Sequence, residues 1–181
     1  MIEVRWHGRG GQGAFTAARL LGSAAMYDQR FALAFPSFGP ERRGAPIQAF
    51  TRIDDRRIAD RSAIRTCDFV VVLDDTLVGP QALEGIREGG ALLVNTASPQ
   101  PAWGDIDARI ICVDATLSAR TILGRPIVNT AMLGALMAAT GVDSVEAAAT
   151  AIEQEMSPAL AAKNIAVLRQ CHDRVKEGRH A

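Results

Sequence analysis

Six residues near the N-terminus, Gly8-Arg9-Gly10-Gly11-Gln12-Gly13, carry the sharpest chemical signal in the chain. They satisfy G-x-G-x-x-G, with Gly8, Gly10 and Gly13 in the glycine slots. Glycines there let the backbone turn tightly and approach a ligand, and a helix start just after them offers unpaired N–H groups to an anion. A second candidate is the stretch Phe35-Pro36-Ser37-Phe38-Gly39-Pro40-Glu41-Arg42-Arg43-Gly44-Ala45-Pro46. Its adjacent guanidinium groups, in a loop stiffened by proline and glycine, suit a phosphate or a carboxylate. Each motif also has a plainer reading: a strand-to-helix turn that needs glycine for close packing, and a structural ion pair or subunit contact made by Glu41, Arg42 or Arg43.

Two better-known phosphate motifs do not fit. A dinucleotide site expects an acid at the end of the second strand, where this chain reads Phe35-Pro36-Ser37. A Walker loop expects Lys-Ser or Lys-Thr after the glycines. Asp74-Asp75 lies past the carboxyl end of a central strand, where open sheets place ligands, but a cap before Thr76 is the preferred reading. Asn95-Thr96, after the next strand, is similar. His7 adjoins the glycine turn and is a site candidate, whereas His172 falls in the buried stripe of the last helix. No nucleophile, base and orienting acid come together in the sequence.

The elements that hold these residues follow from periodicity. Ile2, Val4 and Trp6 alternate with Glu3 and Arg5, which predicts a strand, and Ala14, Ala17, Ala18, Leu21 and Ala25 predict a buried helix from Gly13 to Tyr27. Further strands are expected at Phe31–Phe35, Ile47–Ile53, Phe69–Leu73, Ala91–Val94 and Arg109–Val113, with a helix over Thr76–Glu88. Beyond Asp114 the pattern turns helical: Ala115–Leu123, Thr130–Thr140 closed by Gly141, Ser144–Glu155, and a last helix opened by Ser157 and Pro158. The fold class expected is α/β: residues 1–181 form a single domain with a Rossmann-like, mostly parallel sheet flanked by helices and a helical C-terminal part.

Composition narrows the function. The 181 residues are 48% hydrophobic and 22% charged, as in soluble globular proteins. No run approaches a membrane span and the N-terminus lacks a leader pattern, so the chain reads as cytoplasmic. Cys67, Cys112 and Cys171 are scattered and the histidines do not cluster, so no metal site is expected on this chain. The zero net charge divides unevenly: residues 1–65 hold 11 Arg against 6 acids, a balance of +5, and the remainder stands at −5. An anion would meet the N-terminal third first. Nothing suggests nucleic acid as a partner.

Three blocks taken together, RWHGRGGQG at 5–13, AFPSFGPERRGAP at 34–46 and VNTAMLGAL at 128–136, resemble the gamma subunit of the 2-oxoacid:acceptor oxidoreductases, the family of pyruvate:ferredoxin oxidoreductase. The likeness implies a complex that oxidatively decarboxylates a 2-oxoacid to an acyl-CoA. Its thiamine diphosphate, Mg and 4Fe-4S clusters would sit on alpha-, beta- and delta-type subunits, with coenzyme A as co-substrate and ferredoxin, or NAD through a further subunit, as acceptor. Gamma would shape the site and the assembly without being active alone. The cleft-facing candidates are then Gly8, Arg9, Gly10, Gly11, Gln12, Gly13, Glu41, Arg42, Arg43, Gly44, Asn129 and Thr130. Arg outnumbers Lys 18 to 2, unlike the Lys and Glu enrichment of hyperthermophile proteins. That adds phenylglyoxylate and indolepyruvate to pyruvate and 2-oxoglutarate as substrates to consider. The alternatives are a stand-alone dinucleotide-binding oxidoreductase and a regulatory binding module, and Trp6, Trp103 and the C-terminal helices are candidates for a subunit interface.

Overall fold

A computed structural model describes residues 1–37, 44–98, 103 and 108–178. Glu41, Arg42 and Arg43 lie outside the described residues. Six strands, β1 (Ile2–Arg9), β2 (Phe31–Pro36), β3 (Pro46–Asp54), β4 (Cys67–Val72), β5 (Ile86–Asn95) and β6 (Arg109–Val113), form one sheet in the order β2-β3-β1-β4-β5-β6. The β1/β4, β4/β5 and β5/β6 pairs are parallel, and the β1/β3 and β2/β3 pairs antiparallel. Five strands thus share a direction and β3 opposes them, so the sheet is mixed with a parallel majority.

Strand alternation divides the interior in two. Val4, Trp6, Val71, Leu73 and Leu93 face a large core built with helices α1 (Ala14–Tyr27), α4 (Asn129–Thr140), α5 (Val145–Glu155) and α6 (Pro158–Lys176). Val70, Val72, Leu92 and Val94 face a smaller core closed by Phe50, Ile64 and Ala82, with Trp103 packed on its edge. Helix α3 (Ala115–Leu123) is capped by Asp114, whose carboxylate accepts from Leu117 N at 2.8 Å. Ser144 caps α5 in the same way, while Pro158 opens α6 at its first turn. Residues Asn129 to Met137 of α4 are all buried, because the sheet and α6 cover the helix on opposite sides.

Two expectations are corrected. The helix read over Thr76–Glu88 is instead a 3-10 turn, Asp75–Leu77, and a single turn, α2 (Pro80–Leu83), after which Ile86 already starts β5. Gly79 is extended before Pro80, and Gly85 turns the chain back toward the sheet, so no longer helix can propagate. Trp6 is no interface residue: it is fully buried, and its indole N–H donates to Thr51 Oγ1 at 3.1 Å. Among the described residues no helix is long and apolar enough to cross a membrane.

Candidate functional site: the glycine turn and the cleft beside it

Strand β1 runs through Arg9, so the turn proper is Gly10–Gly13. Gly13 precedes α1 in the left-handed region, φ 83°, and a Cβ there would stand 2.5 Å from Asn129 Nδ2. Both the backbone sign and the packed amide demand glycine. Gly8 is bounded by Ala14 and Leu73, each 3.3 Å from where its Cβ would lie. Gly10 N–H donates to Ala45 O at 2.9 Å and Gly44 N–H returns a bond to Gly10 O at 3.1 Å, which fixes the turn against the start of β3.

An internal carboxylate already meets this turn. Asp74, just beyond β4, accepts from Arg9 Nε at 3.0 Å and from Gln12 Nε2 at 3.1 Å, and it caps the 3-10 turn through Thr76 N at 3.2 Å and the Thr76 hydroxyl. Gln12 Oε1 in turn accepts from Arg9 N at 2.7 Å, and Arg9 reaches Gly44 O and Thr76 Oγ1. Burial pushes the Asp74 carboxyl up, but the hydrogen bonds from Thr76, Gln12 and Arg9 outweigh it and hold the group below its usual range. Asp74 therefore serves as a cap, as its position suggested, and also as the counter-ion of the turn.

Beside the clamp, a cavity of about 530 Å³ opens at the carboxyl ends of β4, β5 and β6, with Gln12, Asp74, Asn95, Asp114, Thr116 and Arg120 in its wall. This is where open α/β sheets bind ligands. Asn95 is already engaged, donating to Leu73 O at 2.9 Å and accepting from Thr116 N at 3.1 Å. The turn does not have the surroundings of a dinucleotide site. In that motif the second strand lies next to the first, but here β3 separates β2 from β1. Asn129 and Asp74 occupy the space and the charge that a pyrophosphate would need.

Of the candidates read from the sequence, Gly8, Arg9, Gly10, Gly11, Gln12, Gly13, Gly44 and Asn129 come together at one place. Thr130 does not join them: it is fully buried and its hydroxyl donates to Asn164 Oδ1 at 2.8 Å, so it faces α6 and not the cleft. His172 is half-buried beside Asp173 on α6.

A polar row along one face of β1 is a feature that local sequence reading missed. Glu3 binds Arg52 Nε at 2.8 Å and also meets Arg87, while Asp68 binds Arg87 and Glu3 N at 2.7 Å each. Arg5 is 4% exposed and donates to the carbonyl oxygens of Arg65, Ala82 and Glu84 and to His7 Nε2. The row ends at Arg9. Its only trace in the sequence is the period-two spacing Glu3, Arg5, His7, Arg9.

Comparisons with known proteins agree with the architecture. Residues 3–173 match the family model described as pyruvate ferredoxin/flavodoxin oxidoreductase. The chain is 48% identical to "pyruvate synthase subunit PorC" of Methanocaldococcus jannaschii, covering 91% of each chain. It is 44% identical to "pyruvate/ketoisovalerate oxidoreductases common subunit gamma" of Thermococcus litoralis, covering 96% of this chain and 97% of that one. Its fold is similar to the crystal structure of pyruvate oxidoreductase subunit PORC from Thermotoga maritima, with a TM-score of 0.85, 40% identity and 95% of both chains covered. This chain therefore belongs to the pyruvate ferredoxin/flavodoxin oxidoreductase family.

Proposed function

We propose that the chain is the gamma subunit of a 2-oxoacid oxidoreductase complex that oxidatively decarboxylates pyruvate, or a short-chain relative of it, to an acyl-CoA. The observation that carries this reading is the near end-to-end correspondence with relatives named as PorC and gamma subunits. Those names specify pyruvate and ketoisovalerate and lend no support to phenylglyoxylate or indolepyruvate as substrate. In this reading thiamine diphosphate, Mg and the 4Fe-4S clusters belong to alpha-, beta- and delta-type partners, and ferredoxin takes the electrons. Cys67, Cys112 and Cys171 are each buried, and burial pushes the Cys67 thiol up to about 11, as for packing residues and not for thiolate ligands.

The chain's own contribution is a stiff wall. The Arg9–Gln12–Asp74 clamp holds the glycine turn at the carboxyl edge of the sheet, where it can seat a neighbouring subunit or the coenzyme A that takes up the acyl group. Arg42 and Arg43 would add charge for the coenzyme's phosphates. The dinucleotide-binding alternative is disfavoured by the separation of β1 from β2 and by the carboxylate already held at the turn.

The test is anaerobic purification of the tagged full chain from its source. A brown complex that contains a chain with cluster cysteines supports the proposal, and a colourless monomer that binds NAD overturns it. Within such a complex, R42Q/R43Q should raise the KM for coenzyme A by roughly tenfold with assembly intact. An unchanged KM would leave the two arginines a structural role.

A further inference from the structure

A second cavity, of about 800 Å³, lies between the start of β3 and the 76–81 segment. Ile47, Leu77, Val78 and Pro80 give it an apolar wall, Gln48 and Gln81 supply amides, and no carboxylate lines it among the described residues. His7 forms part of its floor although the residue is only 5% exposed.

The protonation of that imidazole is set by its neighbour. A guanidinium can only donate, and Arg5 Nε donates to His7 Nε2 at 3.1 Å. Nε2 must therefore offer its lone pair, and the ring proton resides on Nδ1. Among the described residues nothing accepts from Nδ1. Arg5 itself has four acceptors but no carboxylate among the described residues, so a buried positive charge stands one ring behind an unfilled N–H donor. Burial and the Arg5 charge push the His7 pKa down to about 4, so the ring stays neutral and keeps this tautomer across the physiological range.

We propose that this cavity binds a short aliphatic monocarboxylate, with the carboxylate accepting from His7 Nδ1–H and the aliphatic body resting on Ile47, Leu77 and Val78. The acceptor requirement comes from the fixed donor, the preference for an anion from the Arg5 charge, which no carboxylate among the described residues contacts, and the aliphatic body from the wall. The site shares no lining residue with the cleft at the carboxyl ends of β4–β6, and it does not depend on the proposed activity.

The test uses the full chain with nitrogen-15 histidine and reads the imidazole nitrogens by NMR, with isovalerate as probe and its neutral amide, isovaleramide, as control. The His7 signals should show the Nδ1–H form unchanged between about pH 5.5 and pH 8. Isovalerate should shift them saturably, and isovaleramide should bind roughly tenfold more weakly. The variant H7Q keeps an acceptor for Arg5 through its amide oxygen, so it should preserve the melting temperature while isovalerate binding falls by about tenfold. An Nε2–H or cationic ring, equal binding of acid and amide, or isovalerate binding unaffected by H7Q overturns the proposal.

Discussion

Arg9 and Asp74 lie 65 positions apart, yet they tie the ends of two parallel strands together, with Arg9 Nε 3.0 Å from Asp74 Oδ2. Strand β1 delivers the guanidinium and β4 the carboxylate, and the same oxygen takes the Gln12 amide. A turn rich in glycine is thereby given one conformation by side chains that bracket it.

Removing the carboxylate should loosen that turn. D74A loses the acceptor for Arg9, Gln12 and Thr76 at a partly exposed position, and should lower stability by about 1–2 kcal/mol in urea unfolding at neutral pH. The folded-state pKa lies below the ordinary 3.8, so this contribution is full above that value and is lost as pH falls through the folded one. The gap between wild type and D74N should therefore close on acidification, and a gap independent of pH would contradict the assignment.

Gly13 should tolerate no side chain. G13A incurs left-handed strain of about 1–2 kcal/mol plus the collision with Asn129. The double variant G13A/N129A should then be less destabilised than the two single variants added together, because the collision is relieved and the strain is not. Thermal denaturation of the four proteins closes the cycle, and simple additivity would mean that Asn129 does not press on the turn.

Asp143 should make the protein weaker at higher pH. Its side chain is fully buried, neither oxygen has a hydrogen-bond partner, and Arg30 Nη1 is 3.5 Å away. Burial pushes its pKa up to about 7, with Asp28 adding to the rise and Arg30 opposing it. The folded state holds this proton to higher pH than the unfolded state does, so stability should decline as pH rises from about 4 to about 7. D143N should flatten that decline and gain about 1 kcal/mol at pH 8, measured by unfolding at a series of pH values.

Helix α4 crosses α6 at Gly134, where a Cβ would overlap the Leu168 carbonyl oxygen. G134A should force the helices apart and lower stability by on the order of 3 kcal/mol. An unchanged melting temperature would show that the contact can relax without penalty.

Much of this was legible in local spacing. Strand β1 and helices α1, α3, α4 and α5 fall within a few residues of the positions that periodicity assigns, because each has a clear apolar rhythm. Strand order was not legible, since nothing local says that β3 inserts between β1 and β2. The helix expected over 76–88 failed because Leu77, Leu83 and Ile86 mimic a helical stripe, while Gly79, Pro80 and Gly85 break it. At the turn, the glycines and Arg9 were evident. The role of Asp74 as their counter-ion was not, because a pairing between residues 65 positions apart leaves no mark on either neighbourhood.

The segment 75–85 has only two short turns of helix, and it packs on the smaller core through Leu77, Val78, Ala82 and Leu83. Its carbonyls at Ala82 and Glu84 are also acceptors for the buried Arg5 guanidinium. Each local opening would strip that cation of two of its four protein acceptors. Slow amide hydrogen exchange around residues 80–85 would then report the solvation of a charge as well as the grip of a hydrophobic core.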